Sequence, residues 1–417
     1  MTKQNLPTLA TADTQIALSR VSTSLSIANK LLANIDPFEQ HWRWWNGLTE
    51  EWKRELTEPY LDRYEDILKV EHDKQRMREV LSALTAESGL SIRSYLSQDA
   101  LQYVKCLSYL KNLSELKLSC WDMVGYIKLD FVQSLPKLKS LELADYVGTG
   151  VIWTPVDIDD ISYLTSLKHL ENLVFGGQKL YDISPLAQLI SLKSLEFTAE
   201  NISDFSALKH LKNLRSLQIG YANIPSLDFI NELPVLQELR MDVCEFNPEM
   251  MYLPRDLRSL FIRGNQLNNI DFVKRIQNLN SLDCSFNNIS DISGLSNLTQ
   301  LTAFRASDNK ISNISCLSNL KGLMHLNLGR NQISTIEHLT DLTNLRFLDL
   351  QDNNISNISM LSQLKNLSTL VLFGNPISQW QVDQLREMLP NCWIVFEMLP
   401  NIIVTDVFYG WVVEGNE

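Results

Sequence analysis

The chain has 417 residues, 45% hydrophobic and 21% charged, a balance that belongs to folded protein and excludes a disordered chain. Its formal charge of −12 argues against a general nucleic-acid binder and against docking on anionic lipid, since both need a Lys/Arg surplus on some face. At this length one ordinary core does not suffice, so two domains or a repeat array is expected.

The N-terminus, MTKQNLPTLATADTQIALSR, lacks the charged-then-apolar design of a secretory signal. No apolar run reaches the roughly 18 residues of a transmembrane helix, so no membrane insertion is expected. Residues 1–95 read as a helical N-terminal region. Leu18, Val21, Leu25, Leu32 and Ile35 keep helical spacing, as do Trp42, Trp45, Leu48, Trp52 and Leu56. Thr49 ahead of Glu50-Glu51 suits an N-cap, Pro59 would end that helix, and a third helix is expected from about Leu61 to Leu84. This region is read either as a cap over a following repeat array or as a small module of its own.

From residue 96 to 375 the chain is periodic. Asn265, Asn287, Asn309, Asn331, Asn353 and Asn375 stand 22 residues apart, each closing an L-x-x-L-x-L-x-x-N frame. Extended backwards, the frame lands on Cys244, Ala222, Glu200, Gln178, Tyr146 and Trp121. These twelve positions number the coils one to twelve, from Trp121 to Asn375. One coil cannot bury its own leucines, but stacked coils share a continuous core. An Asn amide supplies donors and an acceptor to backbone groups that the turn leaves unpaired, so the ladder is expected to weaken where Asn is missing. The return half repeats too, as Asp182-Ile183-Ser184, Asp291-Ile292-Ser293 and Asn313-Ile314-Ser315, a pattern suited to a tight helical turn opened by a capping side chain. On these motifs the sequence resembles the 22-residue class of leucine-rich repeats, found in bacterial internalin-like and eukaryotic phosphatase-regulator-like proteins. The resemblance implies an α/β solenoid, a horseshoe of about twelve coils, with a concave protein-binding face.

Coils two and three are oversized, and Val147–Asp160 is expected to project as a loop with Trp153 at its tip, either a partner anchor or packed on the solenoid. Residues 376–417 read as a C-terminal cap and tail. Ser378 could open a helix carrying Trp380, Val382, Leu385 and Leu389, followed by a strand Trp393–Phe396, with the remaining tail as one more strand.

Side chains alternate along a strand, so residues between the inward leucines face the concave surface. The expected partner-binding set is Tyr221, Arg240, Asp242, Phe261, Arg263 and Asp283, continued by Phe286, Arg305, Asp308 and Arg330. Exposed aromatics among arginines are the residue types that dominate protein interfaces. Val371, at the far end, is expected to be a neutral surface position.

No phosphate loop, nucleotide fingerprint, zinc spacing or histidine pair is present, so no cofactor, metal or catalysis is expected. Cys106, Cys120, Cys244, Cys284, Cys316 and Cys392 are scattered without CxxC, which favours a reducing, cytoplasmic compartment and structural thiols. The function read here is recognition of another protein on the concave face; the alternatives are a secreted effector binding a host protein, an enzyme housed in the first 100 residues, and a structural spacer.

Overall fold

A computed structural model describes residues 37–57, 74–86, 88–93, 104–119, 125–126, 128–143, 145–147, 151–153, 156–177, 179–248 and 252–397. The chain divides into two compact units, Met1–Glu87 and Ser88–Glu417.

In the first unit, helices span Pro37–Asn46, Glu50–Thr57 and Lys74–Ala86. The break between the first two falls where Gly47 and Leu48 donate back to Trp44 and Trp45 as a closing turn. Thr49 then caps the next helix, its Oγ1 accepting the Trp52 N–H at 3.4 Å. Trp45, Met77 and Leu81 form a core on which Trp42, Trp44 and Leu48 pack, and Trp52 and Leu56 are also buried. The helix expected at Leu18–Ile35 and the start of the one expected from Leu61 lie outside the described residues.

The second unit is built on a 14-stranded parallel sheet with one short strand per coil. Its register is that of the repeat. Leu217, Leu239, Leu260, Leu282, Phe304, Leu326, Leu348, Leu370 and Ile394 are successive cross-strand partners and all are buried. The sheet starts earlier than the periodicity indicates. Gly89–Arg93, inside the stretch read as helical, pairs in parallel with Glu115–Ser119. At the other end Trp393–Val395 adds the last strand.

The return half of most coils is a 3-10 turn, as at Ser184–Gln188, Ser293–Leu295, Ser315–Asn319 and Ser359–Gln363, while Asp228–Asn231 is a single α-helical turn. Asp182, Asp291, Asn313 and Asn357 each accept the N–H of the Ser two residues on, at 2.7–3.0 Å. This explains the recurring D/N-I-S: a short acceptor opens the turn, the Ile is buried, and the Ser supplies the bonded amide.

Coils two and three depart from the expected loop. Asp145–Val147 and Val151–Trp153 pair as an antiparallel hairpin, and Val156–Asp157 pairs in parallel with Gly125–Tyr126. The β-branched and aromatic residues of VGTGVIW favour pairing over an open loop. At the C-terminus, Ser378 and Gln381 form the capping box of helix Gln379–Met388, the Gln381 carboxamide accepting the Ser378 N–H at 3.0 Å. Val382, Leu385 and Leu389 share its buried face. Trp380 does not: two residues from Val382 it points the other way and is 70% exposed. The tail expected to form a further strand lies outside the described residues.

Candidate protein-binding face

Two internal supports hold the concave face, and they divide the solenoid between them. From coil seven onward the asparagines form a continuous ladder. Asn309 Nδ2 donates to the carbonyls of Cys284, Ala306 and Ser307 at 3.0–3.2 Å, while its Oδ1 accepts the Ile289 N–H at 2.9 Å. Asn331 and Asn353 repeat the pattern. Upstream, where Asn is missing, a run of phenyl rings fills the core instead: Phe175–Phe197 stacked at 5.4 Å between centroids, Phe197–Phe205 tilted at 6.5 Å and Phe205–Phe229 stacked at 6.1 Å. Cys244 joins the two systems, its N–H donating to Asn265 Oδ1 at 2.6 Å. Glu200 is not a rung; it is exposed, and Ala199 takes the buried place.

On the face itself, each strand presents the residues on either side of its central inward side chain. The first of these columns, Ser259, Ser281, Ala303, His325, Phe347 and Thr369, belongs to the same surface by cross-strand register, although the expected set omitted it. Alternation alone could have found it, since residues two apart share a face. The second column contains Gln218, Arg240, Phe261, Asp283, Arg305, Asn327, Asp349 and Val371.

The residue just before the Asn position forms a third column with a left-handed backbone. Tyr221, Val243, Phe286, Asp308, Arg330 and Asp352 have φ between 50° and 59°, and Gly264 and Gly374 have 68° and 73°. Glycine suits this conformation; side chains there are strained. Val243 is the extreme case, β-branched and 47% exposed. Val243→Gly is therefore expected to raise stability by about 0.5–1 kcal/mol in urea unfolding; a loss of stability would mean that Val243 makes a compensating contact.

In coils six to eight, cations lie over rings. The Arg240 guanidinium sits 4.1 Å from the centroid of Phe261, and that of Arg263 sits 5.4 Å from Phe286. Arg240 Nη1 also lies 3.4 Å from Asp242 Oδ2, and Arg263 Nε 3.9 Å from Asp283 Oδ2. Burial raises the Asp242 carboxyl above its ordinary value, opposed by Arg240 and by the Arg263 N–H. Arg240 Nε is buried and has no hydrogen-bond partner among the described residues. Phe286 is 46% exposed, and Tyr221 and Arg330 are exposed as well. Phe261, Arg263, Arg305 and Asp308 are half-buried.

Several expected surface positions are in fact interior. Asp242 and Asp283 are buried. Asp283 Oδ1 accepts the Ser285 N–H at 3.0 Å, so this carboxylate supports the turn rather than standing free. Val371 is 0% exposed, packed with Phe347, Phe373 and Val395. It is no neutral surface position, because apolar side chains on adjacent concave strands crowd together. Val371→Ala should cost about 2 kcal/mol in thermal or urea unfolding; an unchanged midpoint would show that the cluster is not packed. Trp153 ends one strand of the hairpin, and its side chain lies outside the described residues.

Burial, the largest cause in each case, pushes the thiols of Cys106 and Cys244 up to about 12 and those of Cys316 and Cys392 to about 11. These are thiols, not nucleophilic thiolates, at neutral pH. Among the described residues no group of His, Cys, Asp and Glu is arranged to hold a metal, and no helix is long and apolar enough to cross a membrane.

This architecture is that of a leucine-rich-repeat solenoid, and the chain is similar to leucine-rich-repeat proteins of the internalin-like, 22-residue class. The family descriptions "Leucine Rich repeats (2 copies)" and "Leucine rich repeat" match residues 343–387 and 313–355. An internalin from Listeria monocytogenes is similar over 73% of this chain and 90% of its own, at 28% identity and TM-score 0.58. A leucine-rich-repeat protein of Leptospira interrogans shares the fold at 23% identity and TM-score 0.56, over 76% of this chain and 92% of its own. No curated protein matches the sequence.

Proposed function

We propose that this chain is a non-catalytic recognition module that binds another protein on the concave face of coils five to ten. The observation that carries the reading is the run Arg240, Phe261, Arg263 and Phe286. Two guanidinium–ring pairs stand side by side on successive strands, with an unmet buried donor at Arg240 and an exposed phenyl on a strained backbone. Folding alone gives no reason to keep a large apolar side chain exposed at a left-handed position, whereas interfaces favour aromatics and arginines. The thiols of Cys244, Cys284, Cys316 and Cys392, which form no disulfide among the described residues, support a reducing, cytoplasmic setting.

Phe286→Ala is the sharpest test. It should leave the melting temperature within the small range of surface substitutions and release a captured partner, with a loss of about 2 kcal/mol of binding or more. Phe261→Ala should also release the partner, but with a measurable cost in stability, because Phe261 is half-buried beneath Arg240. A partner that both folded variants still hold, in titration against the wild-type chain, would move the binding site off this face.

A further inference from the structure

Toward the C-terminal end of the same face the charges do not balance. Asp308, Asp349 and Asp352 surround one arginine. Arg330 is committed to two of them, with Nη1 3.4 Å from Asp308 Oδ1 and Nε 3.5 Å from Asp352 Oδ2. Asp349 is left without an ion pair among the described residues. It is 3% exposed, and its Oδ1 accepts the Gln351 N–H at 3.0 Å. Its cross-strand neighbours, Asn327 and Val371, bring no positive charge. A Cβ on Gly329 would lie 3.2 Å from Asp349 Oδ1, so on that side the carboxylate meets bare backbone. The nearest titratable residue in the first column is His325, in register with Phe347; burial, Arg305 and Arg346 all lower its pKa, so it supplies no cation at neutral pH. Beside the carboxylates lie Phe347, Val371 and Phe373. A nearly buried carboxylate one counter-ion short, at the border of an apolar cluster, is costly in isolation and favourable once a cation reaches it.

We propose that coils nine to twelve seat a lysine or arginine of the partner, carried next to apolar residues, among Asp308, Asp349 and Asp352. This rests on the concave face being the binding face and narrows the partner to one presenting a basic, apolar segment. The chain's formal charge of −12 works in the same direction, steering a cationic segment toward the protein. Burial, with Asp352 and Asp308 adding to it and the Gln351 N–H and Arg330 opposing, holds the Asp349 carboxyl up at about 7. A seated cation would pull that proton off, so binding should strengthen as pH rises through neutrality.

The test is selection from a random peptide library, roughly a dozen residues per member, on the full chain, on an Asp349→Asn/Asp352→Asn variant and on Phe286→Ala. Melting curves confirm that each variant is folded. On the wild-type chain, peptides with Lys or Arg beside aliphatic or aromatic residues should be enriched. They should bind the double variant about tenfold more weakly or worse, and bind the wild type more tightly at about pH 8 than at about pH 6. Enrichment of acidic or neutral peptides, no enrichment at all, or equal binding to the double variant overturns the proposal. Peptides that lose affinity on Phe286→Ala but not on the double variant would leave the concave face as the binding site and reject only its cationic specificity.

Discussion

Asn309→Ala should destabilise the solenoid by about 2 kcal/mol. The side chain is nearly buried, and its amide bridges one backbone amide and three carbonyls drawn from two coils. Alanine removes all four bonds; the three carbonyls keep donors of their own, from Asn287 Nδ2, Asn331 Nδ2 and the Phe286 N–H, so the Ile289 N–H is the group left without its partner. The damage should be local before it is global. Hydrogen exchange at the Ile289 amide, which donates to Asn309 Oδ1 at 2.9 Å, should accelerate more than exchange in coils four and five. Glu200→Ala is the control: the residue occupies the corresponding place in the repeat but is exposed, so its cost should stay within about 0.5 kcal/mol. Matching urea midpoints for the two variants would remove the ladder from the account of stability.

That contrast also shows where sequence reading ends. A leucine at a fixed interval reports a buried position whatever its surroundings, so the coils, the inward column and the 3-10 turns were all legible. The Ser378 cap was legible for a similar reason, since its partner Gln381 lies one turn away in sequence. Position in a repeat does not report what replaces a missing residue. Phe175, Phe197, Phe205 and Phe229 each read as an ordinary apolar residue, and only their stacking shows them to be the upstream counterpart of the Asn ladder. Exposure on the concave side was the least legible property. Alternation placed Asp283 and Val371 on that face correctly, but curvature brings neighbouring strands' side chains together and buries both. The left-handed column escaped notice because glycine marks it at only two of its positions, Gly264 and Gly374.

The burial of Asp349 leads to the second large effect, a fall in stability as pH rises. In the unfolded chain an aspartate titrates near 3.9; in the folded chain burial holds Asp349 up at about 7. Between those values the folded protein keeps a proton that the unfolded chain has released, so the stability slope with pH is negative. The contribution of Asp349 is whole below the unfolded value and lost as pH passes through the folded one. About three pKa units correspond to about 4 kcal/mol. Burial of Asp242 raises its carboxyl too and adds a slope of the same sign. Asp349→Asn removes the ionisable group, and its carboxamide oxygen can still accept the Gln351 N–H. The new NH2 must find its own acceptor, so the net gain at about pH 8 should be nearer 2 kcal/mol. Urea unfolding of both chains at intervals from about pH 5 to about pH 8 measures this directly. The wild-type midpoint should fall through the series while that of Asp349→Asn falls less, and the two should converge at the acid end. Parallel curves would place the Asp349 carboxyl in the ordinary range, with its charge already compensated in the free protein.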